Sequence, residues 1–150
     1  HRRALHLAYA AAPYYAHHAH ALDALLGRAW TSMADLACAT VAWTRDALGA
    51  ACTLARASDL PGAPDSLAAI WNALHPVAAD PPPVLLTLPE SAGRDAERLG
   101  PRAAVRVLHV EEPVRRQVFE PFLPGTSTLD LLLNYGPRAA DLLRAATRVG

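Results

Sequence analysis

The chain has 150 residues, formal net charge zero and a sequence pI near 7.2, with 52% hydrophobic and 19% charged residues. This suits one domain over residues 1–150 with a real core, and neither a basic stripe for nucleic acid nor an apolar run of membrane-spanning length is present. Every basic side chain other than histidine is arginine, which removes a lysine Schiff base and a phosphate-loop lysine from consideration.

Residues 2–30 read as helix interrupted at Pro13, because proline fixes φ and lacks an N–H. Beyond it Tyr15, His18, Leu22, Leu25 and Ala29 recur on one helical face, and Gly27 is a place for that helix to fray. Ser32 and Asp35 form an S-x-x-D capping signal. The helix that follows carries Met33, Leu36, Ala37, Thr40, Val41, Thr44 and Leu48 at helical period, and Gly49 suits its C-terminal exit. Cys52 to Ala55 reads as a short strand running into turn residues. Leu67, Ile70, Trp71 and Leu74 share one face of a short helix that Pro76 stops. The A-A-D-P-P-P stretch is a loop, since proline cannot pair within a sheet centre.

Val84 to Leu88 is an apolar run of strand length, the pattern of a strand buried on both faces. A polar helical turn or two follows, then a third strand in A-A-V-R-V-L-H-V. The final helix runs from about Pro137 to Thr147. Strands separated by helices predict a helix-rich α/β fold with a small, mostly parallel sheet of about three strands. Three strands are few for so many helices, so the sheet reads as incomplete.

The two cysteines, Cys38 and Cys52, lie outside any C-x-x-C pair and read as reduced, buried thiols of a cytoplasmic protein. His17 and His20 have helical ligand spacing, but no local acid or thiol completes a metal set beyond Asp23. No metal site is expected. Dinucleotide, triphosphate and serine-hydrolase signatures are absent, and nothing in the sequence names a cofactor.

The stretch Arg115 to Pro137, R-R-Q-V-F-E-P-F-L-P-G-T-S-T-L-D-L-L-L-N-Y-G-P, carries the most information. Ser127 and Asp130 have the spacing of a reciprocal helix cap. Asn134 and Gly136 suit a helix end, and Pro137 suits the first turn of the next helix. Capping does not account for Gln117, Phe119 or Phe122. An amide and aromatic rings ahead of a helix can bind a ligand, and free N–H groups near Gly125 and Thr126 would accept an anion such as a diphosphate. The expected site is a small-molecule or nucleotide-sugar pocket. Gln117 orients the ligand, Phe119 or Tyr14 stacks on it, Ser127 and Asn134 line it, and Asp130 is the candidate general base for an attacking amine or hydroxyl.

The same stretch resembles the C-terminal signature of WbqC-like proteins, approximately P-x-Y-x-Q-V-F-x-x-F-x-P-x-L-S-I-I-D-L-L-F-N-x-G-P. Pro113, Gln117, Val118, Phe119, Phe122, Pro124, Ser127, Asp130, Leu131, Leu132, Asn134, Gly136 and Pro137 match without a gap. The Tyr-bearing first helix with Ala-Pro-Tyr-Tyr, and the segment ending in Ser58, Asp59 and Leu60, are similar as well. Arg115 stands where the pattern has an aromatic residue, Thr126 and Thr128 replace aliphatics, and Leu133 replaces Phe. The resemblance implies the C-terminal portion of such a protein, with an upstream segment missing. It also implies a role in bacterial surface-polysaccharide (O-antigen) biosynthesis, as a transferase adding an amino acid or acyl group to an amino-sugar precursor. The alternative is a non-catalytic binding or partner protein of a glycan-biosynthesis enzyme.

Overall fold

A computed structural model describes all residues from His1 to Gly150. The fold is helix-rich α/β, in two compact units. One contains His1–Cys52 and Glu112–Ala146, and the other contains Thr53–Glu111 and Thr147–Gly150.

The first unit is helical. Its elements are α1 (Arg2–Tyr9), α2 (Tyr15–Gly27), α3 (Met33–Ala47), α6 (Thr128–Tyr135) and α7 (Ala139–Ala145). Pro13 separates α1 from α2, and Ser32 caps α3 by accepting from Asp35 N at 3.3 Å. The packed side of α3 is Trp43, Ala47 and Leu48, whereas Met33 and Val41 are exposed. Leu131, Leu132 and Leu133 are all buried. Three consecutive buried leucines point in different directions around a helix, so α6 is enclosed by its neighbours. Leu133 joins Ala12 and Leu22, against which Tyr9, Trp43 and Val118 pack. Leu131 and Leu132 join Ala139, with Leu142 and Leu143 alongside. This enclosure fixes Asp130 at the buried first turn of α6.

The second unit holds α4 (Leu67–Leu74), α5 (Ala92–Leu99) and a three-stranded sheet in the order β1 (Val84–Thr87), β2 (Ala104–Val110), β3 (Thr147–Val149). Ser66 caps α4 through Ala69 N. The β1–β2 pair is parallel, with Val84 opposite Ala104, and β2–β3 is antiparallel, with Leu108 opposite Val149. The sheet is therefore mixed rather than mostly parallel. Trp71, Leu99 and Ala103 form its core with Leu67 and Leu85. β1 alternates between exposed Val84 and Leu86 and half-buried Leu85 and Thr87, so it is covered on one face only.

Cys52–Ala55 is irregular rather than a strand; it is the stretch where the chain passes from one unit to the other. The last helix stops at Ala145, and Thr147–Val149 supplies the third strand. Both cysteines are free, and both are exposed rather than buried. Cys38 is on α3, and Cys52 is in the exposed connection. No group of side chains has the make-up of a metal site.

Candidate functional site

The site is built on the first turn of α6 and on the extended segment that precedes it. Asp130 is 3% exposed and Gln117 8%, and a buried carboxylate requires compensating donors. Asp130 Oδ2 accepts from Arg115 Nη2 at 3.1 Å, Gln117 Nε2 at 3.0 Å and Thr126 Oγ1 at 3.2 Å. Its Oδ1 accepts from Asn134 Nδ2 at 3.2 Å, one turn along the helix. The Tyr9 side chain lines the same cavity as this carboxylate. Burial pushes the Tyr9 phenol above its ordinary range, and the adjacent Asp130 charge adds to that shift.

Arg115 joins two acids. Its Nη1 donates to Glu112 at 2.6 Å while Nη2 serves Thr126 and Asp130. Burial opposes its charge, but the bonds to Glu112 and Asp130 outweigh burial and hold the guanidinium above its usual range. Its Nε is buried without a partner, and the guanidinium carbon lies 5.2 Å from the centre of the Phe122 ring. Glu112 also accepts from Gly125 N at 2.6 Å. That bond, followed by the Arg115 contact, holds its carboxyl below the ordinary range.

The Gln117 amide closes the loop ahead of α6. Its Oε1 accepts from Leu123 N at 2.7 Å and its Nε2 donates back to Leu123 O at 3.1 Å. Inside that loop Phe119, Pro121 and Phe122 form the wall of a cavity of about 370 Å³. Tyr9, Gln117, Thr126 and Asp130 supply its polar groups. A volume of this order accommodates a small organic ligand, and the wall is chiefly aromatic and aliphatic.

Of the residues expected from sequence, Asp130, Gln117 and Phe119 line this cavity. Asn134 backs it by gripping both the main-chain oxygen and the carboxylate of Asp130. Ser127 is exposed and its hydroxyl makes no cap bond; the Asp130 N–H goes instead to the Ser127 carbonyl at 2.9 Å. The reciprocal cap does not form because the carboxylate is turned inward to its donors. Tyr14 is not at the cavity. Its N–H bonds the Leu133 carbonyl, and its ring lies on Gly136, where an added Cβ would be 2.4 Å from it. Of the main-chain N–H groups expected to seat an anion near Gly125 and Thr126, that of Gly125 is already taken by Glu112.

The residues missing from the sequence-derived set include Tyr9 and Arg115, with the Thr126 hydroxyl and Glu112 that complete the network. A signal for Arg115 existed: alternation in an extended segment puts positions 115 and 117 on one side, and a buried acid needs a cation. Tyr9 carried no such signal, being brought in by the packing of α1.

The chain belongs to the WbqC-like protein family, whose model matches residues 1–142. Membership suggests an association with polysaccharide biosynthesis. No curated protein and no solved structure matches the chain. No helix is long and apolar enough to cross a membrane.

Proposed function

We propose that the cavity beside Asp130 receives the sugar portion of a precursor for a bacterial surface polysaccharide such as O-antigen. In this reading the chain is a cytoplasmic transferase that adds an amino acid or acyl group to an amino sugar. The observation that carries it is a buried carboxylate facing a cavity with aromatic walls. Sugars present apolar ring faces to aromatic side chains and hydroxyls or amines to a few fixed polar groups. Phe119 and Phe122 supply the first, and Asp130 with Tyr9 the second. Gln117 holds the wall in register, and Asn134 holds the carboxylate.

Asp130 would act as a base only after surrendering one of its donors. An incoming amine that takes the place of one of these donors would lie directly against the carboxylate. The diphosphate of a nucleotide sugar has no seat at Gly125, so the proposal extends to the sugar alone.

The test is titration of a nucleotide-linked amino sugar into the parent and into Phe119→Ala, Tyr9→Phe and Asp130→Asn, with transfer followed by mass spectrometry. Weaker binding by Phe119→Ala, and loss of transfer in folded Asp130→Asn, are expected. Unchanged binding in both of these variants, each shown to be folded, would remove the sugar from this cavity. A second reading has its own support: donors engage both oxygens of Asp130, which suits a non-catalytic binding module or partner of a glycan enzyme. That reading gives binding without transfer.

A further inference from the structure

The second unit contains its own cavity, of about 390 Å³, between the end of α4, the proline-rich loop before β1 and the turn after α5. The polar side chains in its lining, Arg102, Asn72 and His75, present donors. Arg102 spends Nε on Leu99 O at 3.0 Å, Nη2 on Arg98 O at 3.0 Å and Nη1 on Asn72 Oδ1 at 3.4 Å. Each terminal nitrogen carries two hydrogens, so one N–H on each is left over. Asn72 commits its carbonyl oxygen to Arg102, which turns its NH₂ group into a further donor. His75, also in the lining, offers at least one ring N–H in either charge state.

No acidic side chain lines this cavity. The rest of the wall is flat and apolar. The His75 ring lies 4.5 Å from that of buried Trp71, and Pro76, Pro83 and Pro101 complete the sides. Trp71 is fixed in place because its Nε1 donates to Arg102 O at 3.1 Å. The same arginine therefore anchors the aromatic floor and presents the unspent N–H groups.

We infer that this cavity is a second binding site, for an oxyanion carried on a planar apolar body. Arg102 and Asn72 take the anion and the His75 face takes the plane. Guanidinium recognises carboxylate and phosphate by the same paired N–H geometry, so the shared chemistry is the oxyanion, and two probes separate its sources.

The experiment is a ¹H–¹⁵N NMR titration of the full chain with benzoate, uridine monophosphate and inorganic phosphate, with uridine and benzamide as uncharged controls. Saturable shifts of the Trp71 indole N–H and the Asn72 side-chain amide are expected at millimolar benzoate or nucleotide. Tighter binding of benzoate assigns a carboxylate, and tighter binding of the nucleotide assigns a phosphate. Arg102→Gln should weaken either by about tenfold, the loss of a charge-assisted bond. Because Arg102 also secures the end of α5, His75→Leu serves as the second variant; it leaves that anchor in place and should weaken both organic probes while sparing any inorganic phosphate contact. The inference is overturned if no probe saturates, if the uncharged controls bind as well as the anions, or if inorganic phosphate binds as tightly as the organic probes.

Discussion

Replacing Asp130 tests whether the buried polar network holds the first unit together. Asparagine has one oxygen and one NH₂ where the carboxylate has two oxygens. Three donors converge on Oδ2, so the amide oxygen of Asp130→Asn belongs there. Its NH₂ is then set against Asn134 Nδ2, which donates to Oδ1 at 3.2 Å. A charge-assisted bond is weakened and two donors face each other, a loss of about 2–3 kcal/mol. Asp130→Ala removes the shared acceptor of Arg115, Gln117 and Thr126 and leaves a guanidinium, 5% exposed, with Glu112 alone as its charged partner. Breaking a buried pair in this way costs about 3–5 kcal/mol. For a chain of 150 residues, each kcal/mol lowers the melting midpoint by about 2–4 °C. Thermal unfolding followed by circular dichroism should therefore rank parent, Asp130→Asn and Asp130→Ala in descending order. The double variant Arg115→Met with Asp130→Leu should recover much of the alanine loss, because both desolvated charges go together. An alanine variant melting within about one degree of the parent would refute the reasoning.

Ser127→Ala should leave the midpoint nearly unchanged, within about 0.5 kcal/mol, whereas Ser66→Ala should lose about 1 kcal/mol because Ser66 does cap its helix; urea denaturation of the pair checks the contrast. Gly136→Ala should destabilise by roughly 2–4 kcal/mol or abolish soluble expression, since φ is +53° there and the new Cβ would meet the Tyr14 ring at 2.4 Å. The Glu112 carboxyl is held below its ordinary range, first by the Gly125 N–H and then by Arg115. Its contribution is accordingly complete above the unfolded carboxylate value of about 4.3 and is lost as pH falls through the lower folded value. Glu112→Gln should flatten that part of the acid limb in a pH series of melts.

Local signals were legible where one residue decides a local outcome. Pro13 broke the first helix, Ser32 capped α3 and Gly49 closed it, with φ at +64°. Long-range pairing was not legible. β3 is three residues long and takes its place from a partner some forty positions earlier, so no window of sequence contains both halves. The Cys52–Ala55 stretch had strand composition but no neighbour to pair with. At the site, the S-x-x-D spacing at Ser127 matched a cap that forms at Ser32. The difference is the environment of the acid: Asp130 has Arg115, Gln117 and Thr126 within reach and turns to them. Tyr14 fitted a stacking role by type, yet the bare backbone of Gly136 gave its ring a closer partner.

The guanidinium that ties Glu112 at the base of the loop to Asp130 on the helix also divides the cavity by evolvability. Positions under that clasp are mutually dependent, so exchanging one alone damages the scaffold before it alters preference. Phe119, Pro121 and Leu123 stand on the outer arch with exposed side chains. Selection for a new ligand, in nature or in a library, should therefore accumulate its first tolerated changes along that arch.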